Sequence, residues 1–238
     1  MSETTTGPAT EAGEDAPGTS DGRRRRSLSL GQAFREFWGW RSPRLIAPLF
    51  VVALVARLVV GGYTRVDLFL AVGMVVGQPF VEWTAHIVLL HMKPLQLGRF
   101  TFDPLFARKH REHHADPRDM RLTFLPTSVI LQLGAIAILA ALFAFPRLGL
   151  GLTFLATISG IGLVYEWTHY LVHTDYRPKR WLYRTLWKHH RLHHYKNENY
   201  WFSFTATYPD LLFRTAPDPA AVETSPTVRD ILGTGMPA

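Results

Sequence analysis

The sequence predicts an all-α integral membrane protein with four spanning helices. Three observations predict it: four apolar segments of spanning length, basic residues concentrated on one side of them, and eleven histidines confined to residues 86–194. A hydrocarbon core about 30 Å thick takes about 20 apolar residues in helix. The first span is expected from about Leu45 to Tyr63, with Arg57 near its far end, and the second from about Val66 to Leu90. The third runs from about Ser128 to Phe145 and the fourth from about Leu148 to Val172, with only Pro146 and Arg147 between them. A soluble all-helical core is the competing reading, but buried helices rarely run this long with so few charges.

Of the 238 residues, 47% are hydrophobic and the formal charge is +7. In a soluble chain that charge would suggest nucleic acid. Here the basic residues flank apolar runs, so a membrane surface is the better partner and no nucleic acid is expected. There is no cysteine, which excludes disulfides, thiolate metal sites and cysteine nucleophiles. Residues 1–28 are polar and end near a run of four arginines; they read as a disordered tail, without the apolar stretch of a signal peptide. Residues 29–216 read as the membrane-embedded domain and 217–238 as a flexible C-terminal tail.

Basic residues set the orientation. Arg23 to Arg26, Arg35, Arg41 and Arg44 precede the first span, Lys93 to Arg121 lie between the second and third, and Arg177 to Arg191 follow the fourth. The opposite loops hold only Arg65 and Arg147. Both termini and both long polar segments are therefore expected in the cytoplasm, with the cell inner membrane as the setting. Arg57 can snorkel to the far interface.

The histidines form four clusters. His86 and His91 make H-x4-H at the end of span two, and His110, His113 and His114 make H-x2-H-H beyond it. His169 and His173 make H-x3-H at the end of span four, and His190, His193 and His194 make a second H-x2-H-H, with His189 beside it. A random chain of this composition would contain about 0.02 H-x2-H-H matches. Residues three and four apart share a helix face, so each triplet and the second pair can aim imidazoles at one place. His86 and His91 are about 140° apart on an ideal helix. They converge only if the helix unwinds near Leu89 and Leu90, or they bind different ions.

Ten histidines exceed one ion's needs and suit two ions with four or five ligands each. Imidazole suits Fe, Zn, Cu and Ni. A structural zinc site is usually closed by four ligands, so a redox pair of irons that activates dioxygen fits better. The apolar surroundings suggest a greasy substrate. His189 falls outside the spacing and reads as structural or supporting. Glu82 and Glu166, four and three residues before His86 and His169, are expected first as acceptors of outer imidazole N–H groups. Asp116, Asp119 and Arg121 are expected to fix the loop into span three. Glu82-Trp83-Thr84 recurs as Glu166-Trp167-Thr168, and the triplets begin 80 residues apart, which suggests two similar half-sites facing each other. Tyr165, Tyr170, Tyr200 and Trp201 can line an entrance or anchor at the membrane interface.

From about residue 79 to 216 the sequence resembles the fatty acid hydroxylase/sterol desaturase superfamily, closest to its fatty acid 2-hydroxylase branch. The strings that carry the resemblance are EWTAHIVLLH at 82–91, KHREHHADPRDMRLTFLP at 109–126, YEWTHYLVH at 165–173 and KHHRLHHYKNENYWFSFTATYPDLLF at 188–213. The branch has P-x-D-x-x-R-L after its first triplet; here Pro117 to Leu122 reads P-x-D-x-R-L, one residue shorter. The resemblance implies a four-helix membrane bundle with a cytoplasmic helical cap holding a histidine-rich dimetal site. It implies two irons (zinc as isolated) on His86, His91, His110, His113, His114, His169, His173, His190, His193 and His194. Dioxygen would be co-substrate and a membrane lipid or fatty-acyl chain the substrate. Tyr165 and Glu166 stand where the family often has Tyr-Asp and are the candidate catalytic pair. No fused haem domain fits the short tail, so electrons are expected from a separate ferredoxin or cytochrome-type donor. Two rivals stand beside this reading: a carotenoid or sterol-type hydroxylase or desaturase of the same superfamily, and a non-enzymatic membrane zinc-binding protein.

Overall fold

The structure is a computed structural model and describes residues 27–234; most of the expected N-terminal tail therefore lies outside the described residues. A short helix α1 (Leu30–Phe37) opens with a capping box in which Ser29 and Gln32 satisfy each other's backbone and side chain. Four long helices follow: α2 (Arg41–Val60), α3 (Arg65–Ala85), α6 (Thr127–Phe143) and α7 (Leu148–His173). Between α3 and α6 lie a hairpin of β1 (Leu95–Leu97) and β2 (Phe100–Phe102), then α4 (Leu105–Ala115) and α5 (Met120–Thr123). Beyond α7 come α8 (Trp181–Tyr195) and α9 (Tyr208–Leu212).

Four helical stretches, Arg41–Val60, Arg65–Leu90, Met120–Phe143 and Leu148–His173, are long and apolar enough to cross a membrane. They match the expected spans to within a few residues, except that the third is joined by α5. Valine, leucine and phenylalanine side chains on α2, α3 and α6 stay exposed, among them Val59 at 80% and Phe69 at 71%, which is what a lipid solvent favours. In its most apolar window α7 is 44% buried, against 11% to 17% for the others, so α7 is the central helix. It packs on α2, α3 and α6. Glycine permits the closest approach: a Cβ on Gly151 would lie 1.9 Å from the Ala141 carbonyl oxygen of α6.

The turn from α2 to α3 uses Gly61 and Gly62, both with φ of +61°. Beside it Arg57 does not snorkel. It is 3% exposed and donates to Thr153 Oγ1 at 2.7 Å, to the Gly61 carbonyl at 2.5 Å and to Asp67 Oδ1 at 3.1 Å. Asp67 also pairs with Arg147 and caps α3 by accepting from Thr64 N at 2.9 Å. Buried hydrogen-bond acceptors outcompeted the far interface for this guanidinium, and the network ties together the far ends of α2, α3 and α7.

At the other end α4, α5, α8 and α9 form a cap. Asp119 accepts from Arg121 N at 3.0 Å and pairs with its side chain, and Asp116 accepts from Arg118 N, so these residues shape the loop into α6 as expected. The segment set apart as a flexible tail is instead packed against the cap as far as it is described. Ser225, Val228 and Ile231 are buried, and Ser225 Oγ donates to Glu198 Oε1 at 2.9 Å.

Candidate metal centre

The α3 and α7 ends and the cap helices α4 and α8 bring ten of the eleven histidines together in two groups of five. One contains His86, His91, His110, His114 and His193; the other contains His113, His169, His173, His190 and His194. Within each group the nitrogens lie within 4.8 Å of one another. Eight of the ten are buried and His91 and His173 are half-buried; His113, His114, His193 and His194 are at 0–1% exposure.

The backbone solves the spacing of the first pair. Residues His86–Leu90 form a π-helical turn, closed by His91 N donating to the His86 carbonyl at 3.1 Å. A π turn holds one more residue than an α turn, so positions five apart come onto one side. His86 and His91 therefore join one group without unwinding. His169 and His173 need no such device, since i and i+4 already align on α7.

The triplets divide in a crossed pattern. His110 and His114 of α4 join the pair from α3, while His113 between them reaches the group of α7. On α8, His190 and His194 join the pair from α7, while His193 reaches the group of α3. The expected half-sites are thus present, with their middle histidines exchanged.

Outer hydrogen bonds fix the ring tautomers. His86 Nδ1 donates to the Phe202 carbonyl at 2.6 Å, His193 Nδ1 to Tyr200 at 2.8 Å, His114 Nδ1 to Val228 at 3.2 Å and His169 Nδ1 to Thr123 at 2.7 Å. With Nδ1 carrying the proton, each Nε2 presents a lone pair inward. His114 Nε2 and His193 Nε2 then face each other at 3.1 Å with no proton between them. That contact is repulsive unless a cation sits there. His91 Nε2 and His169 Nε2 are buried without any hydrogen-bond partner. Burial, and then the neighbouring imidazoles, pushes His91, His110, His113, His190 and His194 well below the ordinary histidine range. Neutral, inward-facing, unsatisfied imidazoles are the form that metal ions bind.

The two carboxylates act one step farther out than expected. Neither accepts from an imidazole. Glu82 Oε1 accepts Phe204 N at 2.6 Å and Thr205 N at 3.1 Å, and Glu82 also accepts the Thr205 hydroxyl. Glu166 Oε1 accepts Ser42 Oγ at 2.7 Å and Leu125 N at 3.2 Å. Each glutamate thereby grips the N–H two residues beyond the carbonyl that its own helix's histidine holds: Phe204 after Phe202, and Leu125 after Thr123. Sequence spacing pointed to the glutamates; it carried no sign of these carbonyls, which are up to 116 residues away from their histidines. Asp210, missed in the sequence, accepts Phe202 N at 3.1 Å and Ser203 N at 2.7 Å and is fully buried. His189 lies outside both groups and contacts the Ser203 carbonyl at 3.1 Å, in keeping with a supporting role.

Two apolar cavities reach into the membrane helices below the metal groups. One, of about 490 Å³, lies among α2, α6 and α7 and is lined by Tyr165, Leu125 and Ile130. The other, of about 750 Å³, lies among α2, α3 and α7 and is lined by Thr205, Pro79 and Val164. The Tyr165 ring stands 6.1 Å from the His169 ring and 4.9 Å from Phe204. Of the four aromatics expected at an entrance, Tyr165 lines a membrane cavity. Tyr170 is buried and bonds to Glu36, Tyr200 supplies the carbonyl for His193, and Trp201 is buried at φ +57° on the wall of a cap cleft.

The fatty acid hydroxylase family model matches residues 71–215, which hold all ten clustered histidines. The dihydroceramide fatty acyl 2-hydroxylase FAH2 of Arabidopsis thaliana is 29% identical over 188 residues, covering 77% of this chain and 75% of the plant protein. The fatty acid 2-hydroxylase of Mus musculus is 28% identical over 137 residues, 57% of this chain and 36% of the mouse protein. Among solved structures, full-length scs7p, in which only the hydroxylase domain is visible, superposes with a TM-score of 0.63 at 23% identity. That superposition covers 78% of this chain and 69% of the other, and it shows a shared fold. The chain is an integral membrane protein, and it belongs to the fatty acid hydroxylase family.

Proposed function

We propose that the protein is a non-haem di-iron hydroxylase of lipid acyl chains, close in reaction to the fatty acid 2-hydroxylases it resembles. The observation that carries this reading is the pair of five-histidine groups, with inward lone pairs, set at the head of apolar cavities. Five imidazoles per ion exceed the four that close a structural zinc site. When bound, two irons supply the oxygen-activating redox chemistry, and the reaction balances as R–H + O₂ + 2e⁻ + 2H⁺ → R–OH + H₂O.

The chain's own residues do the rest. His86, His91, His110, His114 and His193 would hold one ion, and His113, His169, His173, His190 and His194 the other. Carbonyls of Phe202, Tyr200, Val228 and Thr123 keep the imidazoles neutral and oriented. Glu82 and Glu166 hold the loops that present those carbonyls, so Glu166 is a positioning residue. Tyr165 borders the cavity beside His169 and is placed to touch a substrate lying there. The apolar walls admit an acyl chain from the bilayer and exclude water. Electrons come from a separate one-electron carrier, and the basic loops put the cap and both termini in the cytoplasm.

The test is mass spectrometry of hydroxylated lipids made under ¹⁸O₂ in a native-like host. Wild type is expected to yield ¹⁸O-labelled hydroxyacyl lipids and His193→Ala none. An iron-loaded protein that, given reductant, neither consumes dioxygen nor oxidises any lipid overturns the proposal.

A further inference from the structure

Gln78 is a polar residue on α3 inside a membrane span, and it lines both apolar cavities. Its amide has no hydrogen-bond partner among the described residues, whereas seven other polar residues of the spans do. Arg57, Asp67, Thr153, Thr157, Ser159, Glu82 and Glu166 are all bonded within the protein. A carboxamide in a hydrocarbon setting without a protein partner is unfavourable unless something else bonds it. The cavities it faces are where the proposed function seats the acyl chain.

Its position along the helix is informative. Gln78, Glu82 and His86 succeed one another at intervals of four on α3, so Gln78 lies two turns, about 12 Å, below the metal groups. On α7, Ile161 stands at the same interval before His169 and lines the same two cavities. Tyr165, one turn nearer the histidines, marks the end of the cavity by the site. A chain entering from the bilayer therefore passes Gln78 before Tyr165. An amide at that depth is reached by an atom about ten carbons from the reacting one in an extended chain.

We infer that Gln78 is a specificity-determining residue that hydrogen-bonds an oxygen atom carried by the substrate lipid about ten carbons from the carbon that is hydroxylated. The preferred substrate is then an oxygenated acyl chain rather than a plain alkyl one. A site built to bond a hydroxyl or carbonyl oxygen discriminates against the analogue that lacks it, because the amide is again left unpaired.

The inference rests on the acyl-hydroxylase reading for its substrate class, and a binding experiment separates the two. Purified full-length protein in detergent is titrated with radiolabelled stearic acid and with 12-hydroxystearic acid, whose oxygen is ten carbons from C2, and Kd is measured for each. Wild type is expected to bind the hydroxylated probe about tenfold more tightly. Gln78→Met, nearly equal in length and without the amide, is expected to bind the two within twofold, with metal content and thermal midpoint unchanged. Equal binding by wild type, or a preference that survives in Gln78→Met, overturns the inference. If Gln78→Met fails to fold, Gln78→Glu serves: a preference below twofold in wild type still overturns the inference, and one enlarged or inverted by the carboxylate supports it. Failure of the hydroxylase reading shows separately, as binding of either probe with no dioxygen-dependent product.

Discussion

Replacing Glu82 with alanine is expected to remove one metal ion and leave the other. Three donors lose their acceptor: Phe204 N, Thr205 N and the Thr205 hydroxyl. At roughly 1 kcal/mol or more for each donor left unpaired, the 202–205 loop loses about 3 kcal/mol of local support. The Phe202 carbonyl, which holds His86 at 2.6 Å, sits in that loop. Loss of such an outer partner lowers metal affinity about 10–100-fold, or roughly 1.4–2.7 kcal/mol. Metal per chain is measured by elemental mass spectrometry across a chelator series. Wild type should release both ions at similar chelator concentrations, whereas Glu82→Ala should release the first at a 10–100-fold lower concentration. Glu166→Ala should do the same to the other ion. The double variants assign them: Glu82→Ala with His91→Ala still costs one ion, and Glu82→Ala with His173→Ala costs both. Simultaneous release of both ions from Glu82→Ala, or no change at all, would refute the reasoning.

The crossed ligands make a further stoichiometric prediction. His193→Ala combined with His86→Ala should leave about one ion per chain, while His193→Ala combined with its helix neighbour His190→Ala should leave none; the reverse result would mean that each triplet serves a single ion. Gly151→Ala should unfold or fail to express, because its Cβ would meet the Ala141 carbonyl at 1.9 Å, with a cost of about 3 kcal/mol or more; detergent thermal melts check this against Gly73→Ala, which meets open space. Acid should strip the metal. The buried histidines titrate well below their unfolded value of about 6.5. Below that pH the unfolded chain therefore binds more protons than the native one, and stability is full above it and falls as pH falls. The thermal midpoint and metal content should hold from pH 8 to 7 and drop together between about 6.5 and 5; a midpoint flat across that range would contradict the assignment.

How much of this was legible in the sequence depends on the range of the interaction that decides it. The spans were readable because hydrocarbon thickness fixes length and composition. The triplets were readable because i, i+3 and i+4 are local. For His86 and His91 the spacing posed the problem without choosing the answer, since a π turn differs from an α turn by one backbone hydrogen bond that no residue type announces. The glutamates were found by the same local spacing and misassigned by it: being one turn from a histidine says nothing about which distant loop lies between them. The buried Arg57 was misread because one of its three acceptors, Thr153, comes from a helix 96 residues away, and nothing local shows that Gly61 and Asp67 fold back onto it. Residues 217–234 look like a tail because their composition is polar, yet Val228 offers His114 a carbonyl, a group every residue carries.

The exchange of the middle histidines also bears on the order of events during synthesis. The chain emerges from the ribosome N-terminus first. When α3 and α4 are complete, the first group has four of its five histidines and must wait for residue 193. The second group has only His113 at that stage, and it is finished one residue later, at His194. Neither group can be completed co-translationally from one half of the chain. Completion of either five-histidine group is thereby deferred until α8 is in place, and a product truncated anywhere before residue 193 contains neither group whole.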